Sequence, residues 1–146
     1  MSRRMTDEEW QAFLMEGTRT AKVGTVLRDG RPHVTPVWFV LDDGDLVFTT
    51  PGDSVKARSL RRDPRVCVCV DLEEQPFGFV MLEGEAVLVD DRDAVEEWTA
   101  RIRARYAPAA SVASTAPAKA DAYNRPPGLL VRVKPSRVIA VSYDDE

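Results

Sequence analysis

The chain is poor in the groups that side-chain catalysis requires. Among its 146 residues there is one histidine, His33, and two cysteines, Cys67 and Cys69. With no Gly-x-Ser-x-Gly elbow and no evident base for either thiol, nucleophilic catalysis lacks its constellation. A zinc site needs more ligands than one histidine and one cysteine pair supply. The two cysteines lie two apart in a strand-like run, so both face the same way without disulfide geometry, and they read as reduced packing residues. No apolar run approaches the ~20 residues that span a bilayer. The opening MSRRMTDEEW turns acidic at once and lacks an apolar stretch, so export is not expected and the expected compartment is the cytoplasm. A formal net charge of −4 argues against general nucleic-acid binding.

What is present suits one soluble domain over residues 1–146. The hydrophobic fraction is 44% and the charged fraction 30%, and a chain of this size buries roughly two thirds of the surface that its unfolded form exposes. Thr6-Asp7-Glu8-Glu9 has the form of a capping box, followed by an apolar stripe of Trp10, Phe13 and Leu14 and by Gly17 as a stop. Thr20 to Leu27 reads as a strand, Arg28-Asp29-Gly30 as a turn, and His33 to Leu41 as the returning strand. Asp42-Asp43-Gly44 is a second turn, and Leu46 to Thr50 completes a three-stranded meander that stops at Pro51-Gly52.

A short helix is expected from about Ser54 to Arg62, ended by Asp63-Pro64. Val66, Val68 and Val70 then alternate with the cysteines in a fourth strand, and Phe77 to Val89 forms a fifth. Asp91 or Asp93 can cap a third helix carrying Val95, Trp98, Ile102 and Tyr106 on one side. Residues 107–127, rich in Ala, Pro and Ser, are expected to form a flexible loop within the domain. Leu129 to Lys134 and Val138 to Tyr143 read as two last strands divided by Pro135-Ser136. Six or seven strands in hairpin order, with short helices between them, point to a β-rich α+β fold built on a closed antiparallel barrel. On the second strand Val37, Phe39 and Leu41 occupy one face and Val34, Trp38 and Val40 the other, so one face is expected to bury against a second subunit.

Ser54 to Val66, SVKARSLRRDPRV, carries five positive side chains against one negative in an acidic protein. Lys56 is a good point-charge partner for a phosphate, and a helix opening near Ser54 adds free amide donors. The plain alternative is a solvated basic face, with Arg58, Arg61 and Arg62 paired to surface carboxylates. Ser54 also serves simply as a helix cap. Thr49 and Thr50 are ordinary strand residues by themselves. Phe77, Phe79 and Trp38 are in general core or interface aromatics. His33, near the start of a strand, fits a surface or hydrogen-bonded position better than an acid–base role.

The succession of helix, DG hairpin, GRPHVTPVWF strand, LVFTT strand, KARSLRRDPRV helix-to-strand segment and late KPSRV strand resembles the pyridoxamine 5'-phosphate oxidase-like split-barrel proteins. Within them it is most similar to the oxidoreductases that use the deazaflavin coenzyme F420. The resemblance runs from Thr6 to Tyr143, and its most specific piece is Lys56 to Arg65. It implies an antiparallel split β-barrel of about six strands and a homodimer with two cofactor clefts at the interface. It places His33, Thr35, Pro36, Val37 and Trp38 beside the tricyclic ring. Thr49 and Thr50 fall near the cofactor's tail, and Ser54, Lys56 and Arg58 around its phosphate. Phe77 and Phe79 of the other subunit would wall the ring.

The implied activity is transfer of hydride from reduced deazaflavin to a small electron-poor acceptor, with the chemistry carried by the cofactor. A flavin mononucleotide (FMN) oxidoreductase on the same barrel is the alternative, since that cofactor also presents a phosphate. A non-catalytic cofactor- or ligand-binding protein needs the same cleft.

Overall fold

A computed structural model describes residues 1–107 and 128–144. The expected loop over 107–127 lies outside the described residues except for Ala107, which caps the preceding helix. Strand β1 (Arg3–Arg4) leads into α1 (Asp7–Met15), where Thr6 and Glu9 form the expected reciprocal capping box at 3.2 and 3.0 Å. Trp10 and Leu14 bury the inner face of α1. Gly17 takes φ +63, a left-handed conformation that side chains resist, directly after the helix cap at Glu16.

The first hairpin joins β2 (Ala21–Val26) and β3 (Pro32–Val37), in register from Ala21 opposite Val37 to Val26 opposite Pro32. The chain then crosses through Trp38 and Phe39 to β4 (Val40–Asp42). A two-residue turn with positive φ at both Asp43 and Gly44 reverses it into β5 (Asp45–Pro51). Helix α2 (Val55–Arg62) feeds β6 (Arg65–Leu72), and β7 (Gly78–Val89) returns against it. Helix α3 (Arg92–Tyr106), capped by Asp91, precedes β8 (Gly128–Ser142). The strand order is β3-β2-β6-β7-β8-β5-β4, with β1 added to β8, and every pairing is antiparallel.

Two terminal strands of that order, β3 and β4, are consecutive in the chain and separated only by Trp38 and Phe39. Two residues reach about 10 Å at most, so the sheet must curl until its ends meet. Among the described residues β3 and β4 share no ladder. The result is a barrel split along one seam, a β-rich antiparallel fold with eight strands and three helices among the described residues. Its interior holds Leu14, Val23, Phe39, Leu46, Phe48, Leu60, Val70 and Leu82, all within 1% of full burial.

Three expectations need correction. The strand expected from His33 to Leu41 is broken, because Phe39 turns fully into the core and its backbone bonds to side chains of α3 instead of to a strand. Its amide donates to the Tyr106 hydroxyl at 3.3 Å, and its carbonyl accepts from Arg105 at 2.6 Å. The three-stranded meander is therefore absent: β3 lies at one end of the order, while β5 pairs with β4 and β8. The two last strands are one, β8, paired along its length with the long β7. Pro135-Ser136 is absorbed as a bulge, since Gly84 faces Pro135 while Glu83 faces Arg137, leaving Ser136 as the extra residue. The Ser136 hydroxyl donates to the Glu83 carbonyl at 3.1 Å, and a side chain at Gly84 would collide with the Lys134 carbonyl.

Arg105 also joins elements far apart in sequence. Its guanidinium donates to the carbonyls of Leu14, in the last turn of α1, and of Gly17, just beyond it, as well as to Phe39, and it lies 4.7 Å from the centre of the Phe39 ring. Helix α1 has no basic residue in its own last turn, so Arg105 supplies the cation that the dipole favours there. Arg105→Met leaves these carbonyls without donors, each charge-assisted bond being worth about 1.5–3 kcal/mol. Urea unfolding is expected to show a loss of about 3 kcal/mol, and a loss below about 0.5 kcal/mol would mean that the seam is held by other contacts.

Candidate functional site

The end of β5 and the start of α2 are tied together by short polar contacts. The Ser54 amide donates to the Pro51 carbonyl at 3.0 Å, and the Ser54 hydroxyl accepts from the Ala57 amide at 3.1 Å. The same hydroxyl shares a 2.9 Å hydrogen bond with the buried Thr50 side chain. Ser54 is thus the helix cap, and Thr50 braces it. Thr49 points to the other side of β5, where it accepts a 3.0 Å hydrogen bond from Thr99 of α3. Strand alternation therefore separates two residues that the resemblance implied act together.

Helix α2 presents cations on two faces. Ala57, Ser59 and Leu60 are buried, and Lys56 emerges half-buried on the side of Ala57 and Leu60. Among the described residues Lys56 has no carboxylate or carbonyl partner, and burial pushes its ammonium pKa below the usual value. The amides of Val55 and Lys56 belong to the open first turn, where no helical acceptor exists. Arg58 lies on the outer face with Arg61 and Arg62. Together with Arg28, Leu27, Val55 and Ser59 they line a groove of about 580 Å³. Lys56 is not part of that lining, so Lys56 and Arg58 do not converge on one point.

On β3, alternation gives an outer row of Pro32, Val34 and Pro36, all exposed, and an inner row of His33, Thr35 and Val37, all half-buried. The inner row faces Thr25, Val23 and Ala21 of β2. His33 Nδ1, Thr35 Oγ1 and Thr25 Oγ1 are buried without a hydrogen-bond partner among the described residues, and Thr25 is only 3% exposed. Such atoms cost about 1–3 kcal/mol each when left unpaired, and here they cluster on one face of one hairpin. Trp38, 46% exposed, stacks parallel on Tyr106 with ring centres 5.1 Å apart. Thr25, Arg105 and Tyr106 were missed from the sequence. Counting pairs back from the Arg28-Asp29-Gly30 turn would have put Thr25 opposite His33, whereas nothing local marks the two α3 residues.

Phe77 is exposed and Phe79 half-buried, at the end of the β6–β7 hairpin remote from α2. Register separates Phe79, opposite Asp71, from Arg65 by six residues of β6, about 20 Å of strand. Among the described residues no contact joins either aromatic to helix α2. Cys67 and Cys69 are free and half-buried; burial, with Glu83 and Asp71 nearby, pushes their thiols above the usual range, the reverse of an activated nucleophile. Among the described residues no group of three or more His, Cys, Asp or Glu is placed to hold a metal ion, and no helix is long and apolar enough to cross a membrane.

Residues 6–142 match the family model described as pyridoxamine 5'-phosphate oxidase. The chain belongs to that family. Among solved structures, it is similar to a conserved hypothetical protein from Mycobacterium tuberculosis, with 25% identity over 95% of this chain and 86% of that one and a TM-score of 0.77. An F420 reductase is 23% identical, covers 86% of this chain and 93% of its own, and gives a TM-score of 0.66. An FAD-binding protein from Mesorhizobium loti is 19% identical, with 97% and 98% covered and a TM-score of 0.71. The last two share the fold. The family is one of oxidoreductases, and a flavin-type cofactor is consistent with its barrel.

The unpaired ammonium of Lys56 opposes folding through its desolvation. Lys56→Met keeps the stem's volume and removes the charge. Its urea midpoint is expected to equal or exceed that of the parent protein, and a clear fall would reveal a structural partner for Lys56.

Proposed function

We propose that the protein is an oxidoreductase dependent on coenzyme F420, reducing small electron-poor organic molecules. The observation that carries this reading is the half-buried Lys56 ammonium, left without an anion beside the open first turn of a capped helix. Lys56 and the first-turn amides would hold the cofactor phosphate, where helix dipole and point charge act together. The orphaned His33 Nδ1, Thr35 Oγ1 and Thr25 Oγ1 fit a ligand with polar ring edges, because they are polar atoms awaiting partners in a buried place. Val37, on the same row, would supply apolar surface beside the ring, whereas Pro36 and Trp38 are exposed and would meet it only from the outer side. When bound and reduced, a deazaflavin supplies a hydride to an electron-poor double bond, the completing proton coming from solvent. The chain's own work is to bind, orient and exclude water. Arg58 falls to the outer face of α2 and belongs to the groove there.

A homodimer completes the reading. The outer face of β3 exposes Pro32, Val34 and Pro36, with Val34 63% exposed, and Trp38 is exposed just beyond the strand. The neighbouring strands continue that face with Gly24, Cys67, Cys69 and Met81, and with the charged Lys22 and Glu83 among them. Two prolines deny β3 the amides needed to add a further strand, so this surface is suited to packing face to face. A second copy packed there could bring its Phe77 and Phe79 to a cleft that one chain leaves open.

Fluorescence titration of the purified protein with F420 and with FMN tests the cofactor. F420 is expected to bind at least tenfold more tightly, and its reduced form to be reoxidised by nitroaromatic, quinone or enone acceptors in the protein's presence. Preference for FMN would replace the coenzyme in this reading, and binding without turnover would leave a carrier. Lys56→Ala is expected to weaken F420 binding about tenfold or more, equivalent to about 1.4 kcal/mol, with an unchanged circular dichroism spectrum. The parent protein's affinity should decline as pH rises through the lowered Lys56 pKa, below the ordinary lysine value of 10.5, since only the ammonium form attracts phosphate. A decline that survives in Lys56→Ala would assign the titration to another group.

A further inference from the structure

We propose that the groove between the β2–β3 turn and the outer face of α2 is a second anion subsite, which takes a ligand with two or more neighbouring anionic groups. Four of its seven lining residues are arginines, Arg28, Arg58, Arg61 and Arg62, and none is acidic. The two carboxylates nearest in sequence are engaged elsewhere. Asp29 bonds to Arg31 at 2.7 Å, and Asp63 bonds to Arg65 at 2.7 Å. The Arg65 guanidinium, with a lesser contribution from Arg62, holds the Asp63 carboxyl down at about 2. Arg28 and Arg58 have no acidic partner among the described residues.

The other two arginines are steered by backbone. Arg61 donates to the Gly52 carbonyl at 2.5 Å, and Arg62 donates to the Val26 carbonyl at 3.0 Å. Each of these bonds uses one of five N–H groups, so both guanidiniums are anchored while most of their donors stay free. A fork of fixed donors suits phosphate or carboxylate bidentately. A volume of about 580 Å³ is far more than one phosphate fills and lies in the range of small-molecule sites. Leu27 and Val55 add apolar wall. Four like charges with no carboxylate among the residues lining the groove repel one another, most at low ionic strength, since the neighbouring Asp63 carboxylate is already bonded to Arg65; a multivalent anion removes that repulsion where a single phosphate removes a part of it.

The anionic chain has two chemical sources. It can be a free oligophosphate, or the carboxylates of an oligoglutamyl tail on a coenzyme whose phosphate is held at Lys56. Only the second rests on the function proposed above. Calorimetric titration of the full chain with tripolyphosphate, triglutamate and orthophosphate separates them without any redox ring present. Tripolyphosphate or triglutamate is expected to bind at least tenfold more tightly than orthophosphate, and the Arg28→Gln/Arg58→Gln variant to lose at least tenfold of that affinity. Both side chains are exposed, so the variant should keep its unfolding temperature. The titrations are repeated in the Lys56→Ala background, where the phosphate site proposed above is disabled, and there the two arginine changes should still cost at least tenfold. Preference for tripolyphosphate supports the subsite with a free oligophosphate as its ligand, and preference for triglutamate supports it with the coenzyme's tail. Equal affinity for orthophosphate, or no loss when Arg28→Gln/Arg58→Gln is added in the Lys56→Ala background, would overturn the subsite. Failure of both redox cofactors to bind would leave these titrations as they are.

Discussion

The fold turns on a crossing of two residues. Trp38 and Phe39 carry the chain from one end of the strand order to the other, and a closed ladder cannot form at a place where the backbone itself passes between strands. The polar groups of Phe39 must then find partners outside the sheet, because a buried amide or carbonyl left alone costs more than a typical bond returns. Tyr106 and Arg105 provide them from the last turn of α3. The same two side chains reach Arg19, Leu14 and Gly17. The stretch following α1, the crossing and the end of α3 thus form one unit. Burial lowers the Arg105 pKa and raises that of Tyr106, as expected for a cation and a phenol held among carbonyls and rings.

That arrangement leaves β3 with one paired edge, to β2, and no ladder to β4. Its inner row carries polar side chains where a sealed barrel would carry aliphatic ones, and three of the polar atoms on this hairpin lack partners among the described residues. Elsewhere polar groups are well matched. Arg132 meets both Asp42 and Asp45, Arg3 meets Glu9 and Asp144, and Lys22 meets Asp71. Local rules that hold through most of a molecule and fail in one district mark a functional place more often than a defect. Here the failure involves acceptors and donors on β3 and an ammonium on α2, the combination that an anionic, hydrogen-bonding cofactor would satisfy.

Legibility in the sequence followed the range of the interactions. The capping box of Thr6 and Glu9, the caps at Ser54 and Asp91, and the β2–β3 hairpin are local, and residues within four or five positions specify them. Pro135-Ser136 was misread as a strand end because a proline lacks a ladder donor. The deciding partner, Gly84, lies some fifty residues away and has no side chain to obstruct the bulge. The break at Trp38–Phe39 was hidden for a similar reason: its apolar residues fit a strand, and its hydrogen-bond partners belong to α3. In the site, Lys56 stood out as a cation near a helix start. The separation of Lys56 from Arg58, and of Thr49 from Thr50, depends on which side of each element meets the core, and only the packed structure decides that.

The distribution of charge reinforces the distinction between structure and function. A protein with a net charge of −4 has ample carboxylate to neutralise a short basic helix, yet among the described residues Lys56, Arg58 and Arg28 pair with none. Surface ion pairs contribute little to stability, so pairing these cations would gain the fold almost nothing and would block an incoming anion. Leaving them unpaired costs only modest repulsion and, for Lys56, some desolvation. Affinity for an anionic ligand then comes from charges already positioned and partly stripped of water, which need no competing carboxylate to be displaced. On one eight-residue helix, then, the half-buried Lys56 lies on the side of Ala57 and Leu60 while Arg58, Arg61 and Arg62 lie on the opposite, exposed side, two separate cationic places.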